Sequence, residues 1–349
     1  MTRSRTIFLT TGPLNMVKYK NNPSIVVTRA PLRVSFAGGG TDIDYFYEKF
    51  GGSFISSTIN KYVYVTVKKH ESIFEEKYRL NYADSEICNN LKQIKNDIAR
   101  ECIKLVNPDI PLYISTISDV PASSGLGSSS TFAVALLLAL HTLKSEKVNA
   151  AQIVEEAVDI EVNVLKRPVG KQDHLASAYG GLNFYKIDKD GAISIISHSA
   201  NQSKILDVFS KSFLLWTGIN RDSSTVLNEQ KKNKNKNFED LLFIKNQAIE
   251  LNNMFKKGIN IKDFANLLNT GWFRKKKLSQ KISSSKINSL FEKAINAGAL
   301  GGKLCGAGGG GFIFLVTGNN EKNFLKKFGK FHILDIDYEP SGAQIILKC

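Results

Sequence analysis

The stretch Pro121-Ala122-Ser123-Ser124-Gly125-Leu126-Gly127-Ser128-Ser129-Ser130-Thr131 has the residue types of a phosphate-holding loop. Small side chains let the backbone approach a ligand closely, and glycines permit the dihedrals that turn several N–H groups inward. Four hydroxyl residues, Ser128 to Thr131, then open an apolar run, Phe132 to Leu143, that reads as a buried helix. At such a helix start, unpaired N–H groups and the helix dipole favour an anion. Taken alone, the loop reads better as a Ser-capped helix after a flexible turn; the rest of the chain lifts it above that. Two familiar phosphate loops are excluded. A Walker A loop needs Lys and then Ser or Thr after its last Gly, whereas Ser128 follows Gly127. A dinucleotide fingerprint needs a third Gly where Ser130 stands.

Gly306-Ala307-Gly308-Gly309-Gly310-Gly311 does satisfy G-x-G-x-x-G, but a strand pattern, Phe312–Thr317, follows it instead of a helix. The dinucleotide reading therefore fails. What remains is a flat loop free of side chains, on which another backbone or a ligand can lie. A third glycine cluster, Gly38-Gly39-Gly40-Thr41-Asp42, reads as a tight turn after an extended segment.

The elements that position these loops follow from periodicity. Ser24–Thr28 and Arg29–Ala37 read as two extended pieces, and Ser53–Lys69 as two strands. Asp42–Phe50 reads as a short helix ended by Gly51-Gly52, and Asn89–Val106 has helical spacing. Pro108–Ser118 is a strand feeding the Ser/Gly loop, and helices follow at Phe132–Leu143 and Ala150–Leu165. After Pro168 the chain turns through Gly170-Lys171-Gln172-Asp173-His174 into a short helix, then a hairpin around Asp190-Gly191. Beyond it come a strand at Phe213–Thr217, helices at Ser223–Lys232, Phe238–Lys256 and Ile287–Ala297, and a last strand at Gln344–Lys348. Domain boundaries are expected at 16–200 and 201–349, with residues 1–15 a tail ahead of Met16.

Composition bounds the function. With 42% hydrophobic residues and a mean hydropathy of -0.15, the chain is a soluble globular protein. No apolar run reaches the length of a membrane span, and Met1–Asn15 lacks the apolar core of a secretory signal. Cys88, Cys102, Cys305 and Cys349 have no metal-ligand spacing and suit a reduced cytoplasm. The net charge of +15 invites a nucleic-acid reading. Yet the lysines are diluted with asparagine, as in Lys231–Asn237, and no aromatics are interleaved, so solvated helix ends explain them better.

The three glycine-rich segments, in this order and spacing, resemble the motifs of the GHMP small-molecule kinases. Pro31–Asp42 resembles the first motif, the Ser/Gly loop the second, and Lys303–Phe312 the third. The segments Phe36–Asp42, Gly170–Asp173, Thr217–Arg221 and Gly298–Lys303 look like the D-glycero-D-manno-heptose 7-phosphate kinase branch, whose members phosphorylate the anomeric hydroxyl of the sugar. His174 departs from that branch's Gln and Cys305 from its Leu, which puts only substrate detail in doubt.

The resemblance implies an α+β, two-domain fold, with a ribosomal-S5-like N-terminal domain and a ferredoxin-like C-terminal one. It implies ATP along Pro121, Ser123, Ser124, Gly125, Leu126, Gly127, Ser128, Ser129 and Ser130, with Mg2+ on Ser129 and Glu161. Asp173 is the implied catalytic base and Arg33 its partner; taken alone, Asp173 also fits a helix cap and Arg33 a surface ion pair. Glu161 alone fits a solvated carboxylate among Glu155, Glu156 and Asp159. Gly39, Gly40, Thr41, Asp42, Lys171, Arg221, Gly308 and Gly309 are the expected sugar-phosphate contacts. No nucleic acid or membrane partner is expected, and the protein is expected as a cytoplasmic monomer or homodimer. The rivals are a sugar 1-kinase for an unphosphorylated acceptor such as fucose, and a catalytically silent sugar- and ATP-binding regulator.

Overall fold

The computed structural model describes residues 22–71, 73–220, 223–329 and 331–349; the expected tail 1–15 and Arg221 lie outside the described residues. Strand β1 (Ile25–Ala37) runs through the two extended pieces expected there as one strand. After helix α1 (Asp44–Phe50), strand β2 (Gly52–Lys69) does the same. The two pair antiparallel, with register slips between Pro31 and Arg33 and between Ser35 and Ala37. Bulges of this kind accommodate a proline that has no N–H, and they re-aim neighbouring side chains. Local turn signals suggested breaks; pairing across the sheet overrides them.

Short strands β3 (Tyr78–Asn81) and β4 (Ser85–Cys88) and helix α2 (Asp97–Val106) precede β5 (Leu112–Ser118), which pairs with the second half of β2. Three helices follow: α3 (Ser128–Leu143), α4 (Ala150–Val158) and α5 (Gln172–Tyr179). Because α3 is apolar on every side it is buried almost throughout, and Thr28 on β1 donates to its Ala135 carbonyl at 2.8 Å. Strands β6 (Leu182–Ile187) and β7 (Ile193–Ser197) form the expected hairpin, and β6 pairs with the first half of β2.

The remainder builds a second sheet. Helix α6 (Gln202–Phe209) leads to β8 (Ser212–Trp216), followed by α7 (Ser223–Lys232), α8 (Lys234–Lys257), α9 (Ile261–Lys277) and α10 (Ser285–Ala297). Strands β9 (Gly301–Leu304) and β10 (Phe312–Val316), helix α11 (Glu321–Phe328) and β11 (Ile333–Asp335) complete it in the antiparallel order β11-β8-β10-β9. The last strand, β12 (Gln344–Lys348), returns to pair with β1 at the edge of the first sheet. The class is α+β as expected. Helix α9 was not foreseen: Asn260 caps it by accepting from Lys262 and Asp263, and Phe264, Leu267, Leu268 and Trp272 bury its apolar face. Among the described residues no helix is long and apolar enough to cross a membrane.

The two sheets share one core. Phe36, the penultimate residue of β1, packs its ring 5.2 Å from Phe264, 5.5 Å from Phe314, 6.3 Å from Phe209 and 6.5 Å from Phe255. Its partners come from α9, β10, α6 and α8, so this ring joins the halves just before the Gly38 turn. Phe36→Ala should cost about 3–5 kcal/mol, read as a lowered urea midpoint of a single transition. A loss below about 1 kcal/mol would mean that the two halves do not depend on this contact.

Candidate active site

The Ser/Gly loop connects β5 to α3, and its left-handed glycines are what open it. Gly125 and Gly127 both have φ +83°, in the left-handed region that a side chain disfavours. A Cβ on Gly127 would lie 3.1 Å from Asp173 Oδ2, and one on Gly125 2.8 Å from the Cys305 carbonyl oxygen. Ser123, Gly125, Gly127, Ser128, Ser129 and Ser130 line a cleft of about 620 Å³, into which the N-terminus of α3 opens. Three expected loop residues do not form its wall. Pro121 is exposed outside it, Leu126 is buried with its carbonyl accepting from the Arg33 N–H at 3.2 Å, and Ser124 accepts from the Phe312 N–H at 3.0 Å.

Against the loop at the helix start lies the pair expected to do the chemistry. Arg33 Nε donates to Asp173 Oδ1 at 2.8 Å and Nη2 to Oδ2 at 2.7 Å, a bidentate grip; Nη1 donates to the Gly125 carbonyl at 2.7 Å. The bulge after Pro31 aims the Arg33 side chain inward, leaving it 4% exposed, against 27% for Asp173 at the cleft wall. Asp173 opens the first turn of α5, where its charge meets the helix dipole.

Gly39, Gly40 and Asp42 line the cleft as expected. Asp42 accepts from the Gln172 N–H at 2.9 Å, and burial, reinforced by the charge of Asp173, pushes its carboxyl above the usual range. Gln172 accepts from the Ser35 hydroxyl at 3.0 Å, which ties the α5 turn to β1. Thr41 is buried, donating to the Gly38 and Ser53 carbonyls at 2.8 and 2.9 Å, so it pins the turn. Lys171 leans against the Tyr47 ring at 4.9 Å and is not part of the cleft wall. Gly308 lines the cleft, while Gly309 donates to the Ile282 carbonyl behind it at 2.8 Å.

Glu161 is placed by an irregularity. Helix α4 passes into a π-helical turn over Asp159–Val164, a device that recurs at functional sites because it re-aims side chains. Its carboxylate is buried and accepts from four donors. These are Ser129 Oγ at 2.7 Å, Ser130 Oγ at 2.6 Å, His174 Nε2 at 2.8 Å and Arg167 Nη1 at 2.8 Å. Burial by itself raises the carboxyl; the bond and charge of His174 and the two hydroxyls outweigh it and hold Glu161 at about 2. His174 thus bears on this carboxylate, so its departure from the motif concerns more than substrate detail. Arg167 also donates to Ser129 Oγ at 2.8 Å and Asp97 Oδ1 at 2.7 Å. A cation already sits on the Ser129–Glu161 oxygen pair, and hard oxygens so placed fit Mg2+. Among the described residues no group of three or more His, Cys, Asp or Glu could by itself hold a metal ion.

Two lysines escaped the sequence reading. Lys303 on β9 is buried and donates to the Ser35 and Phe36 carbonyls at 2.7 and 3.2 Å; burial, then the charge of Lys275, pulls it down to about 7. Lys275 ends α9, lines the cleft and donates to the Gly306 carbonyl; burial pulls it to about 8. The signal for Lys275 was the cap at Asn260 and the apolar stripe behind it, which would have turned a basic run into a helix end. Nothing local marks Arg167.

Residues 89–181 match the family model for the GHMP kinases N terminal domain, and residues 253–332 that for GHMP kinases C terminal. The chain is 29% identical to D-glycero-alpha-D-manno-heptose 7-phosphate kinase of Campylobacter jejuni, over 91% of this chain and 97% of that protein. It is 25% identical to mevalonate kinase of Methanothermobacter thermautotrophicus, over 62% and 68% respectively. A solved D-glycero-D-manno-heptose 1-phosphate kinase from Bacteroides thetaiotaomicron superposes with a TM-score of 0.75 at 25% identity, covering 92% of this chain and 99% of that one.

The depressed Glu161 carboxyl has a consequence for stability. A group lowered on folding stabilises the native state above its ordinary value, and that contribution is lost as pH falls through the folded value. From 4.5 to about 2 this amounts to roughly 3 kcal/mol. Urea midpoints should therefore fall between about pH 5 and pH 2 in the wild type. In Glu161→Gln that slope should be shallower, and equal slopes would remove Glu161 as the source.

Proposed function

This chain belongs to the GHMP kinases and is an ATP-dependent carbohydrate kinase, and from that premise we propose that its acceptor is D-glycero-D-manno-heptose 7-phosphate, phosphorylated on the anomeric hydroxyl to the 1,7-bisphosphate. The product would feed nucleotide-activated heptose for surface polysaccharide. The observation that carries the reading is the Arg33–Asp173 pair bonded against the Ser/Gly loop in the wall of one cleft, in a chain alike to a heptose 7-phosphate kinase over 91% of its length.

Phosphoryl transfer asks the protein mainly to position reactants and neutralise charge. The anomeric hydroxyl attacks the terminal phosphorus of ATP; its O–H proton passes to Asp173, the new O–P bond forms, and the bond to ADP breaks. Arg33 orients Asp173 through both carboxylate oxygens and adds positive charge beside the attacking oxygen. The loop from Ser123 to Ser130 and the start of α3 hold the triphosphate by N–H groups and hydroxyls. Ser129 and Glu161 would hold Mg2+, which neutralises the phosphate oxygens. Asp42, Gly39, Gly40 and Gly308 face the sugar, with Thr41 and Gly309 holding their turns. Arg221 is our candidate for the 7-phosphate, and Lys171, held on the Tyr47 ring outside the cleft wall, is set aside. The four cysteines are free thiols, and we place the reaction in the reducing cytoplasm.

Asp173→Asn should lower kcat by roughly 10²–10⁴-fold with ATP affinity nearly intact. Near-wild-type turnover in the folded variant would assign the proton to another group. The acceptor is tested by comparing sugars: heptose 7-phosphate should be used far better than free heptose, fucose or galactose. Arg221→Ala should lose about ten- to a hundredfold in kcat/KM for the phosphorylated sugar alone. Equal rates with phosphorylated and free sugars would overturn the acceptor assignment and leave a sugar 1-kinase.

A further inference from the structure

Arg33 is not the only cation at the base. Lys275 comes from the other half of the molecule, at the end of α9, and its half-buried side chain forms part of the cleft wall. Its neighbours behave differently: Lys276 leans outward over the Trp272 and Phe273 rings, and Lys277 is exposed. The Lys275 ammonium donates to the Gly306 carbonyl, and that residue abuts the Ser/Gly loop so closely that a Cβ on it would lie 2.7 Å from Gly125 Cα. The charge therefore sits where the two glycine loops meet.

Arg33 has its charge matched by Asp173, in two bonds, but Lys275 does not. No carboxylate among the described residues comes within ion-pair reach of its ammonium, and the charged or titratable groups that face it are Arg33, Asp173, Lys303 and Cys305. Lys275 and Arg33 stand against one carboxylate, Asp173, so the cluster is positive. A cation held in a low-dielectric wall without a counter-ion is costly unless a ligand brings one. An ammonium has three N–H groups; one is spent on Gly306, and the others remain for oxygens in the cleft.

Building on the kinase reading, we propose that Lys275 is a further catalytic residue, one that binds the terminal phosphoryl group of the nucleotide as it passes to the acceptor. The group in flight spreads negative charge over three equatorial oxygens, and a fixed cation there acts most strongly in the transition state. The contact also gives the second half of the chain a direct part in the chemistry. Withdrawal of protons from Lys275 at alkaline pH is opposed once the phosphates are bound, since their charge holds the ammonium.

Lys275→Met removes the charge at similar length, Lys275→Gln keeps an N–H for Gly306, and Lys275→Arg keeps the charge. Each is matched to the wild type by its urea midpoint, with Lys275→Gln carrying the comparison if Met lowers it. The expected result is a kcat lowered about 10²–10³-fold in Met and Gln, with partial recovery in Arg. The Kd for ADP should change less than about threefold, while binding of ADP with aluminium fluoride, a mimic of the phosphoryl in transfer, weakens in step with kcat. The fluoride measurement needs no sugar, so a wrong acceptor does not affect it, whereas failure of the wild type to bind ATP would instead remove the kinase reading itself. A folded Met or Gln variant with kcat within about threefold of wild type, or with unchanged fluoride binding, overturns the proposal.

Discussion

One guanidinium ties the site together. Arg33 grips both oxygens of Asp173, bonds the Gly125 carbonyl through Nη1, and through its backbone N–H bonds the Leu126 carbonyl. A buried ion pair repays its desolvation only when its geometry is good and its remaining hydrogen-bonding capacity is used. The bulge in β1, the loop before α3 and the first turn of α5 must therefore be held in one arrangement. The absence of a side chain at Gly127, against Asp173, is part of that demand. So is the left-handed backbone at Gly125 and Gly127, which glycine adopts freely and which the bonds from Arg33 to the loop carbonyls select.

The second sheet completes what the first begins. Phe312 bonds the Ser124 carbonyl from one side of the third glycine segment, and the Cys305 backbone packs on Gly125 from the other. Lys303 reaches across to the end of β1, holding the carbonyls of Ser35 and Phe36. Beneath these polar ties lies the aromatic cluster around Phe36. The cleft is thus walled by both sheets, and neither half carries it alone.

What the sequence made legible was local. The Ser/Gly loop, the Gly38 turn and the α5 turn were readable because small residues and glycines in runs have few uses, and their order matched a known set. The paired location of Asp173 and Arg33, 140 positions apart, came from that order and not from any pattern of the residues themselves. What escaped depends on folding at a distance. The continuity of β1 and β2 is enforced by cross-strand pairing that overrides the proline and the polar breaks. Arg167 carried no local signal, and its three partners lie on α2, α3 and the π-helical turn. His174 read as a departure that touches substrate detail alone, yet it is fully buried on Glu161. Helix α9 was the exception, since its cap and apolar stripe were present to be read.

The placement of charge matters here more than its total. Part of the excess behind the net charge of +15 is on exposed side chains such as Lys231, Lys232, Lys234 and Lys236. Inside the cleft both signs are present. Arg33, Asp173 and Lys275 line it together with Glu161, Asp97 and Arg167, and Arg167 bonds the Glu161 and Asp97 carboxylates. A metal–triphosphate carries both signs at once, with oxygens that seek cations and an ion that seeks a carboxylate. A cleft of uniform sign would serve only one of these. For a metal to take the Ser129–Glu161 oxygens, Arg167 has only to release those two while Asp97 keeps hold of its other nitrogen. Its side chain is 30% exposed, so the move exchanges one hydrated or bonded state for another, without opening the core. The buried carboxylate is then never left without a positive partner, which is the condition for keeping an ionised group in so dry a place.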